Sequence, residues 1–435
     1  MSARAKSPPP PRGRAETVFT YGSPALKIGA GASAEIGYDL AALGARRVLL
    51  VTDAGVAATG APARIAEQMA AFGVEATVFD EVHVEPTDAS LELAIEWARS
   101  NGRWDALVAV GGGSSIDTAK AVDLLLTNPG ELIDYVNRPV GGGRAPADPL
   151  LPLVAVPTTT GTGAESTTIC VLDVLAQHVK TGISHPRLRP TLAVVDPDLT
   201  LTQPAGVTAS SGMDILCHAL EAYTAAPYTS FDRKQADERV PYCGANPVAD
   251  MWAEKALGLL APSFRRAVLH GDDRDARSAM SLAATFAGMG FGNAGVHIPH
   301  ANAYPIAGRV RAFRADGYPS GEALVPHGMA VSLTAPEAFR FTFDASPERH
   351  LRAAQLLDPG VSQSDGPGAL PGLLVRLMRD IGMPSGVAAV GFEERDVDDL
   401  VEGALKQQRL LAIAPRAVTA DDLADIFRRS MWLWD

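Results

Sequence analysis

Four side chains of this chain have the types and the spacing of a metal site. Asp214 and His218 lie four residues apart, in a segment that we predict to open a helix, so both side chains project from one helix face. His300 follows a glycine-rich run, and His327 stands in the sequence Val-Pro-His-Gly. One carboxylate oxygen and three imidazole nitrogens suit Fe(II) or Zn(II) and leave a coordination position open for a substrate. The alternative for Asp214 and His218 alone is an ordinary polar pair on a helix.

A second motif predicts a phosphate site. The apolar segment 104–110 reads as a strand and runs directly into Gly111, Gly112 and Gly113, after which Ser114 and a helical pattern follow. Glycines let backbone N–H groups approach a pyrophosphate, and the helix N-terminus adds partial positive charge. The run is not the G-x-G-x-x-G fingerprint of the common dinucleotide fold. A tight turn is therefore the alternative.

Two further strand ends carry groups that suit a nucleotide. Asp53 ends the first strand, where a carboxylate accepts both hydroxyls of an adenosine ribose and repels a 2′-phosphate, which predicts NAD rather than NADP. Thr158, Thr159 and Thr162 follow the strand at 151–156, and their hydroxyls can bond to phosphate or ribose. Taken alone, an aspartate or threonines in a turn are common, so these residues gain meaning only beside the glycine loop.

The order of elements predicts two halves. Up to about residue 206, short apolar strands alternate with helical patterns, which indicates βαβ units and a parallel sheet. Beyond that point we predict helices at 213–225, 250–269, 276–289, 347–357, 370–381, 395–407 and 421–432. The fold class is therefore an α/β nucleotide-binding half followed by an all-helical half. We divide the chain into a disordered tail at 1–16, a dinucleotide-binding domain at 17–206 and a metal-binding domain at 207–435, with ligands in the cleft between the two domains.

Composition limits the function classes. The chain has 435 residues, of which 47% are apolar, with a net charge of −12; this acidic balance argues against nucleic-acid binding and favours a small-molecule substrate. The three cysteines show no C-x-x-C spacing, which fits a reducing compartment. No apolar run approaches the roughly 18 residues of a membrane span. The basic, proline-rich segment 1–14 lacks the apolar stretch of a secretory signal, so we predict a cytoplasmic protein, with the mitochondrial matrix as the alternative.

Taken in order from about Thr20, these motifs make the chain resemble the iron-containing (group III) alcohol dehydrogenases, whose two-half architecture is similar to that of dehydroquinate synthase. The resemblance implies a divalent metal, NAD and a homodimer. It implies metal ligands at Asp214, His218, His300 and His327. It implies cofactor contacts at Asp53, Gly111, Gly112, Gly113, Ser114, Asp117, Thr158, Thr159, Thr162 and Lys180.

Within that family the chain is most similar to the hydroxyacid-oxoacid transhydrogenases. The closer resemblance rests on the segments 84–88, 286–297, 304–306 and 324–329, and on two extra segments at 227–246 and 309–323. Such enzymes oxidise 4-hydroxybutyrate to succinate semialdehyde while they reduce 2-oxoglutarate to 2-hydroxyglutarate, with the nicotinamide carrying the hydride. The alternative is a plain NAD-dependent alcohol or 4-hydroxybutyrate dehydrogenase. A sugar-phosphate cyclase would need a lysine cluster near the metal, and a metal-free nucleotide-binding protein would not need the four ligands.

The chain departs from the family at Tyr304, where many members have a second histidine. A phenol can donate or accept a hydrogen bond in its place, so we predict Tyr304 as a catalytic residue together with Asp214 and His218. His297 is either a relay or a supporting group. For the substrate we predict the loop arginines Arg309, Arg311 and Arg314, because guanidinium groups bind carboxylates through two parallel hydrogen bonds. A solvated basic loop is the alternative.

Overall fold

The computed structural model describes residues 13–177, 179–239, 241–319, 321 and 323–435, so most of the predicted tail, residues 1–12, lies outside the described residues. The end of that tail contacts the rest of the chain. Ala15 forms an isolated β-bridge with Asp232, and the buried Glu16 forms an ion pair of 3.0 Å with Arg239. Residues 15 and 16 are therefore held against the segment that contains Asp232 and Arg239.

The amino-terminal half is built on a six-stranded sheet whose neighbouring strands are all parallel, as predicted. Its strands, in chain order, are β1 (Ala25–Ile28), β2 (Arg47–Val51), β3 (Glu75–Phe79), β4 (Ala106–Gly111), β5 (Leu153–Pro157) and β8 (Leu192–Val195). The order across the sheet is β1-β8-β5-β4-β2-β3. Every residue of β4 and β5 is buried, as expected for central parallel strands covered on both faces.

The sheet brings the predicted nucleotide motifs to one edge. Gly111 pairs with Pro157 between β4 and β5, and Val51 of β2 pairs with Ala109 of β4. Because the carboxyl ends of parallel strands meet at the same edge, the glycine loop, the threonine run and Asp53 lie beside one another. The helices on this half are α1 (Ile36–Ala42), α2 (Ala54–Ala57), α3 (Ala61–Ala70), α4 (Asp88–Ser100), α5 (Gly113–Thr127) and α6 (Leu132–Tyr135).

Three strands were not predicted. The strand β1 is a short edge strand with only partly buried residues, so it has no clear apolar pattern. The other two, β6 (Ile169–Val174) and β7 (Val179–Ser184), form a separate antiparallel hairpin. This hairpin places Lys180 beside the cleft that the nucleotide motifs open into.

The carboxyl-terminal half is helical, as predicted. Its helices are α7 (Ala205–Thr224), α8 (Pro247–Leu269), α9 (Arg274–Ala294), α10 (Ile298–Gly308), α11 (His327–Thr342), α12 (Pro347–Leu357), α13 (Ala369–Asp380), α14 (Val397–Leu405), α15 (Gln408–Leu411) and α16 (Ala420–Arg429). The short helix α15 was missed, and so were two longer helices, α10 and α11. Both contain an internal proline, Pro305 or Pro336, and both are buried on nearly all sides, so neither shows the polar face that marks an amphipathic helix. None of the described helices is long and apolar enough to cross a bilayer.

The prediction that Asp214 and His218 open a helix was wrong. The helix α7 begins at Ala205, close to the predicted domain boundary, and both residues lie in its middle. The serine-, threonine- and glycine-rich sequence before Asp214 looks like a turn, but its small side chains allow close packing. A Cβ atom on Gly212 would lie 2.1 Å from the ring of Phe264. The neighbouring helix likewise continues to Ala294, beyond its predicted end at Met289, because Gly290 packs against the backbone of α8.

Candidate metal centre and nucleotide cleft

Three helices bring the four predicted ligands together. Asp214 and His218 come from the middle of α7, His300 from the first turn of α10 and His327 from the first residue of α11. The Oδ1 atom of Asp214 lies 3.7 Å from Nε2 of His218, 3.5 Å from Nε2 of His300 and 4.0 Å from Nε2 of His327. Asp214, His218 and His300 are buried, and His327 is partly exposed to the cleft. Ligand atoms of Asp214, His218 and His300 therefore lie within 4.8 Å of one another, and His327 approaches this group from the cleft side, through Asp214.

A glycine allows α11 to approach α7 this closely. A Cβ atom on Gly328 would lie 2.2 Å from the carbonyl oxygen of Ser210 and 2.7 Å from Cβ of Asp214. Both contacts are shorter than van der Waals distance, and one is to backbone, which cannot rotate away. In the Pro-His-Gly sequence, the glycine therefore permits close packing of α11 on α7, and the histidine is the predicted metal ligand.

The residues present fit a divalent cation. Within the part of the chain that the structure describes, the buried Oδ1 of Asp214 and Nε2 of His300 have no hydrogen-bond partner. An unpaired buried polar atom destabilises a fold by about 1–3 kcal/mol, and a bound cation would satisfy both atoms. The ring of His218 is held in place by stacking on Phe291, with ring centroids 3.8 Å apart. The donor set and its rigidity match those of a transition-metal site with room for a further ligand.

Glu221 supports this centre and was missed from the sequence. Its Oε1 atom lies 2.6 Å from Nδ1 of His300, and its Oε2 accepts a hydrogen bond of 2.6 Å from the backbone N–H of His297. Because the carboxylate accepts, Nδ1 of His300 carries the proton and Nε2 is left to bind a cation. The available signal was its position seven residues after Asp214 on α7, which places it two turns along the same side of the helix.

The electrostatics of the centre favour an ionised Asp214, a neutral His218 and a protonated His300. Burial would raise the pKa of Asp214, but the neighbouring histidines outweigh burial and hold this pKa well below its usual range. Burial lowers the pKa of His218 to about 3. For His300 burial also acts to lower the pKa, but the charges of Glu221 and Asp214 prevail and raise it to about 9. A cation that binds here therefore displaces a proton from His300.

The metal centre opens into the same cleft as the nucleotide motifs. The cleft has a volume of about 1010 Å³ and is lined by all four predicted metal ligands and by Tyr304. Eight of the predicted cofactor residues also line it: Asp53, Gly112, Gly113, Ser114, Asp117, Thr158, Thr159 and Thr162. Gly111 lies buried at the end of β4, directly behind the loop. The arrangement gives room for a dinucleotide that reaches from the sheet edge to the metal centre.

Known proteins resemble this chain over almost its whole length. The family model "Iron-containing alcohol dehydrogenase" matches residues 23–197, and "Fe-containing alcohol dehydrogenase family, C-terminal" matches residues 236–431. The chain belongs to the iron-containing alcohol dehydrogenase family. It is therefore an oxidoreductase that acts on CH–OH groups.

Two relatives and two solved structures describe its place in this family. The chain is 44% identical to proteins named "Hydroxyacid-oxoacid transhydrogenase, mitochondrial" from Rattus norvegicus and from Homo sapiens, over 94% of this chain and 89% of each relative. A 1,3-propanediol oxidoreductase structure superimposes with a TM-score of 0.83 at 32% identity, covering 95% of this chain and all of that one. A sulfoacetaldehyde reductase from Bifidobacterium kashiwanohense, solved in complex with NAD+, superimposes with a TM-score of 0.79 at 26% identity, covering 95% and 99%. The relatives' names do not support the expected cytoplasmic location.

Lys180, the remaining predicted cofactor residue, is held by two acids. Its Nζ atom lies 2.9 Å from Oε2 of Glu85 and 2.7 Å from Oδ2 of Asp173, and these two acids, rather than Lys180, line the cleft. A cofactor in the cleft would therefore meet the carboxylates of Glu85 and Asp173 as well as the Lys180 ammonium group.

Glu85 joins the two ends of the cleft and was not predicted as a site residue. Its backbone N–H donates to Oγ of Ser114 in the glycine loop at 3.0 Å, and interactions with Lys180 and with His327 at the metal end outweigh burial and lower the pKa of its carboxyl group. Its φ angle is +57°, a left-handed conformation that is uncommon outside glycine and often marks a functional position. No sequence pattern reveals such a backbone at a glutamate.

Tyr304 lies in the cleft beside His327, one of the predicted metal ligands. It lines the cleft, is 7% exposed, and its ring meets that of His327 edge to face with centroids 6.0 Å apart. Burial raises the pKa of this phenol to about 12. The phenol therefore keeps its proton near neutral pH and can donate a hydrogen bond to a substrate oxygen. His297 lies behind the centre, with Nε2 3.1 Å from Oγ1 of Thr224, and is not among the described residues that line the cleft.

The three predicted substrate arginines lie outside the cleft lining that the described residues form. Arg309 lies 3.5 Å from a carboxylate oxygen of Asp399, and Nη1 of Arg311 donates to Asp396 at 3.1 Å. Arg314 pairs with Leu324 in an isolated β-bridge. The structure thus does not bring these guanidinium groups to the metal centre, although Val310 of the same loop lines the cleft.

Replacing Glu221 with glutamine tests its supporting role. The glutamine keeps the size of the side chain but loses the charge that orients His300, and its NH2 group cannot accept the second hydrogen bond. We expect metal affinity to fall by about 10- to 100-fold, the usual effect of removing such a partner. Chelator competition on the purified protein measures this affinity.

The matched control is Glu165→Gln, which changes another buried glutamate. Glu165 accepts a hydrogen bond of 2.9 Å from Thr285 and does not line the cleft, so its replacement is expected to leave metal affinity unchanged. Equal affinity in the Glu221 variant and the wild type would contradict a role for Glu221 in holding His300.

Proposed function

We propose that this protein is a hydroxyacid-oxoacid transhydrogenase, which oxidises 4-hydroxybutyrate to succinate semialdehyde and reduces 2-oxoglutarate to 2-hydroxyglutarate. The observation that carries the proposal is that one cleft holds both a cluster suited to a cation and a glycine loop suited to a dinucleotide. The class of reaction, hydroxyacid-oxoacid transhydrogenation, is that named for relatives with which the chain is 44% identical over 94% of its length.

The proposed reaction balances without an external oxidant. A hydride leaves C4 of 4-hydroxybutyrate, passes by way of a bound nicotinamide and reaches C2 of 2-oxoglutarate. The hydroxyl proton of the alcohol is released, and one proton is taken up by the ketone oxygen. Nicotinamide is therefore regenerated in each cycle, and NADH does not need to leave the protein.

The residues of the cleft have separate roles in this proposal. Asp214, His218, His300 and His327 hold a divalent cation, with Fe(II) proposed before Zn(II). This cation would supply Lewis acidity toward the alcohol or ketone oxygen. Tyr304 donates a hydrogen bond to the same oxygen.

The glycine loop and the threonine run hold the NAD phosphates. Asp53, whose Oδ1 caps α2 and whose Oδ2 lies 3.2 Å from Oγ of Ser115, accepts the ribose hydroxyls and disfavours NADP. We propose that the protein is a homodimer, and light scattering tests this. Elemental analysis of the purified protein identifies the metal. Of the two locations considered from the sequence, the relatives' names favour the mitochondrion.

An isotope experiment tests the reaction. The purified protein is mixed with 2-oxoglutarate and with 4-hydroxybutyrate that carries deuterium at C4, with no NAD added. We expect deuterium at C2 of 2-hydroxyglutarate, in an amount equal to the succinate semialdehyde formed.

A plain dehydrogenase is the alternative, favoured by the likeness to 1,3-propanediol oxidoreductase. It would produce deuterated NADH when NAD+ is added and would transfer no deuterium to 2-oxoglutarate. That outcome would replace the proposed reaction with the simpler one.

A further inference from the structure

The cleft is also lined by Arg409, an arginine for which the sequence predicts no role. We propose that Arg409, held over Tyr242, binds the carboxylate that 4-hydroxybutyrate and 2-oxoglutarate have in common. Arg409 would in this way select acidic substrates. This inference rests on the proposed function and deepens it, because it assigns the substrate specificity of the same cleft to a particular side chain.

The two substrates have a common skeleton. In 4-hydroxybutyrate the reacting carbon is C4, and two methylene groups separate it from the carboxylate. In 2-oxoglutarate the reacting carbon is C2, and two methylene groups again separate it from the distal carboxylate. A single cation at one fixed distance from the metal centre can therefore bind both acids in turn. 2-Oxoglutarate also has a second carboxylate next to its ketone. 4-Hydroxybutyrate has no group that corresponds to it.

Arg409 is available for such a carboxylate. It lies on the short helix α15, is exposed, and lines the cleft together with Tyr242 and Leu410. Its guanidinium carbon lies 4.5 Å from the centroid of the Tyr242 ring, an arrangement that orients the planar group. Among the residues that the structure describes, no carboxylate forms an ion pair with Arg409. Arg309 and Arg311, in contrast, are already paired with acids.

Tyr304 connects this cation to the reaction centre. Its ring packs against His327, and it shares one buried apolar cluster with Tyr242 and Leu410. Tyr304 and Arg409 also line the same cleft. An acid whose reacting oxygen meets Tyr304 can thus extend its carboxylate toward Arg409.

The position of Tyr242 is fixed by its own segment. Its φ angle is +69°, and the next two residues donate backbone hydrogen bonds of 2.9 and 3.0 Å to the carbonyl groups of Asn293 and Ala294. A Cβ atom on Gly295 would lie 3.2 Å from Cβ of Tyr242, so a glycine is needed where the two segments meet. Tyr242 belongs to the extra segment 227–246. This segment therefore supplies the surface on which Arg409 rests.

The test replaces Arg409 with methionine, which keeps most of the length of the side chain and removes its charge. In the deuterium-transfer assay we expect KM to rise by about 10- to 100-fold for both acids, the range for losing a charge-assisted hydrogen-bond pair. The rate constant kcat and the metal content are expected to stay close to the wild type. Arg409→Lys retains the charge and is expected to give intermediate KM values, which a loss of folding would not.

The matched control is Arg416→Met. Arg416 also stacks on an aromatic ring, 4.2 Å from the centroid of Phe341, but it does not line the cleft. Its replacement is expected to leave both KM values unchanged. The substrate-binding role predicted from the sequence for the arginine loop is tested in parallel by three variants, Arg309→Met, Arg311→Met and Arg314→Met.

A binding measurement separates this inference from the proposed function. Butyrate has the same two methylene groups and carboxylate but no reacting oxygen, so its dissociation constant from the metal- and NAD+-loaded protein does not depend on catalysis. If the wild type transfers no deuterium but the Arg409→Met variant binds butyrate less tightly than the wild type does, only the proposed reaction is overturned. A wild type that transfers deuterium, with unchanged KM values and butyrate affinity in the variant, would overturn the role of Arg409 alone. A variant whose only change is weaker NADH binding in a fluorescence titration would likewise overturn it, and would assign Arg409 to the cofactor.

Discussion

Replacement of Asp214 with asparagine is expected to remove the bound metal and to lower the rate of hydride transfer by about 1000-fold or more. The carboxylate is the only anion among the four ligands, and its Oδ1 is the atom from which the three Nε2 distances of 3.5 to 4.0 Å are measured. An asparagine cannot supply the negative charge, and its NH2 group cannot bind a cation. Lewis-acid assistance is worth several kcal/mol, and each 1.36 kcal/mol is about tenfold in rate. Elemental analysis and the deuterium-transfer assay measure both effects.

The matched control for this experiment is Asp123→Asn. Asp123 is also a buried aspartate on a helix, but it accepts a hydrogen bond of 2.9 Å from the backbone N–H of Leu151 and does not line the cleft. This variant is expected to keep its metal and its activity. An Asp214 variant that retains stoichiometric metal would contradict the assignment of the centre.

The parts of the site that the sequence predicted correctly are those that local geometry determines. Asp214 and His218 share a helix face wherever their helix begins, so the wrong starting residue did not alter their relation. The glycine loop and Asp53 follow strands, and the carboxyl ends of neighbouring parallel strands must meet at one edge. The convergence of His300 and His327 with this pair was proposed from residue types and sequence context, and again from the family resemblance, because no local geometry brings three helices to one point.

The residues that were missed depend on tertiary contacts. The role of Glu221 depends on the side of α7 against which His300 packs. The left-handed backbone of Glu85 depends on the fold around it. The arginine loop shows the opposite case. Its basic sequence favoured a carboxylate site, but Arg311 is paired with Asp396, an acid 85 residues away along the chain. A single sequence does not reveal such a partner.

The cleft depends on close contact between the two halves. A Cβ atom on Gly163, in the threonine run, would lie 2.7 Å from the backbone of Gly288 in α9, and the reverse contact at Gly288 is 2.9 Å. Two glycines therefore allow the nucleotide loops to rest directly on the helical half. This contact fixes the distance between the glycine loop and the metal centre, which a hydride transfer between bound groups requires.

Replacement of Gly113 with valine is expected to lower the affinity for NADH by about 100-fold or more, because each lost hydrogen bond to a charged group costs about 1.5–3 kcal/mol. A Cβ atom at this position would lie 2.7 Å from Cγ2 and 2.9 Å from Oγ1 of Thr162. The loop and the threonine must then separate, and the N–H groups at the start of α5 no longer face a phosphate. Titration of the protein with NADH, followed by nicotinamide fluorescence, measures the change.

Metal content separates this effect from a general loss of structure. The four ligands lie on α7, α10 and α11, so the Gly113 variant is expected to bind metal like the wild type. The control Gly258→Ala adds a methyl group inside α8 where no atom lies within 4 Å, and alanine favours a helix over glycine by about 1 kcal/mol, so NADH affinity should be retained. Wild-type NADH affinity in the Gly113→Val protein would mean that the phosphates bind elsewhere. The strand-loop-helix unit would then serve only to pack the two halves together.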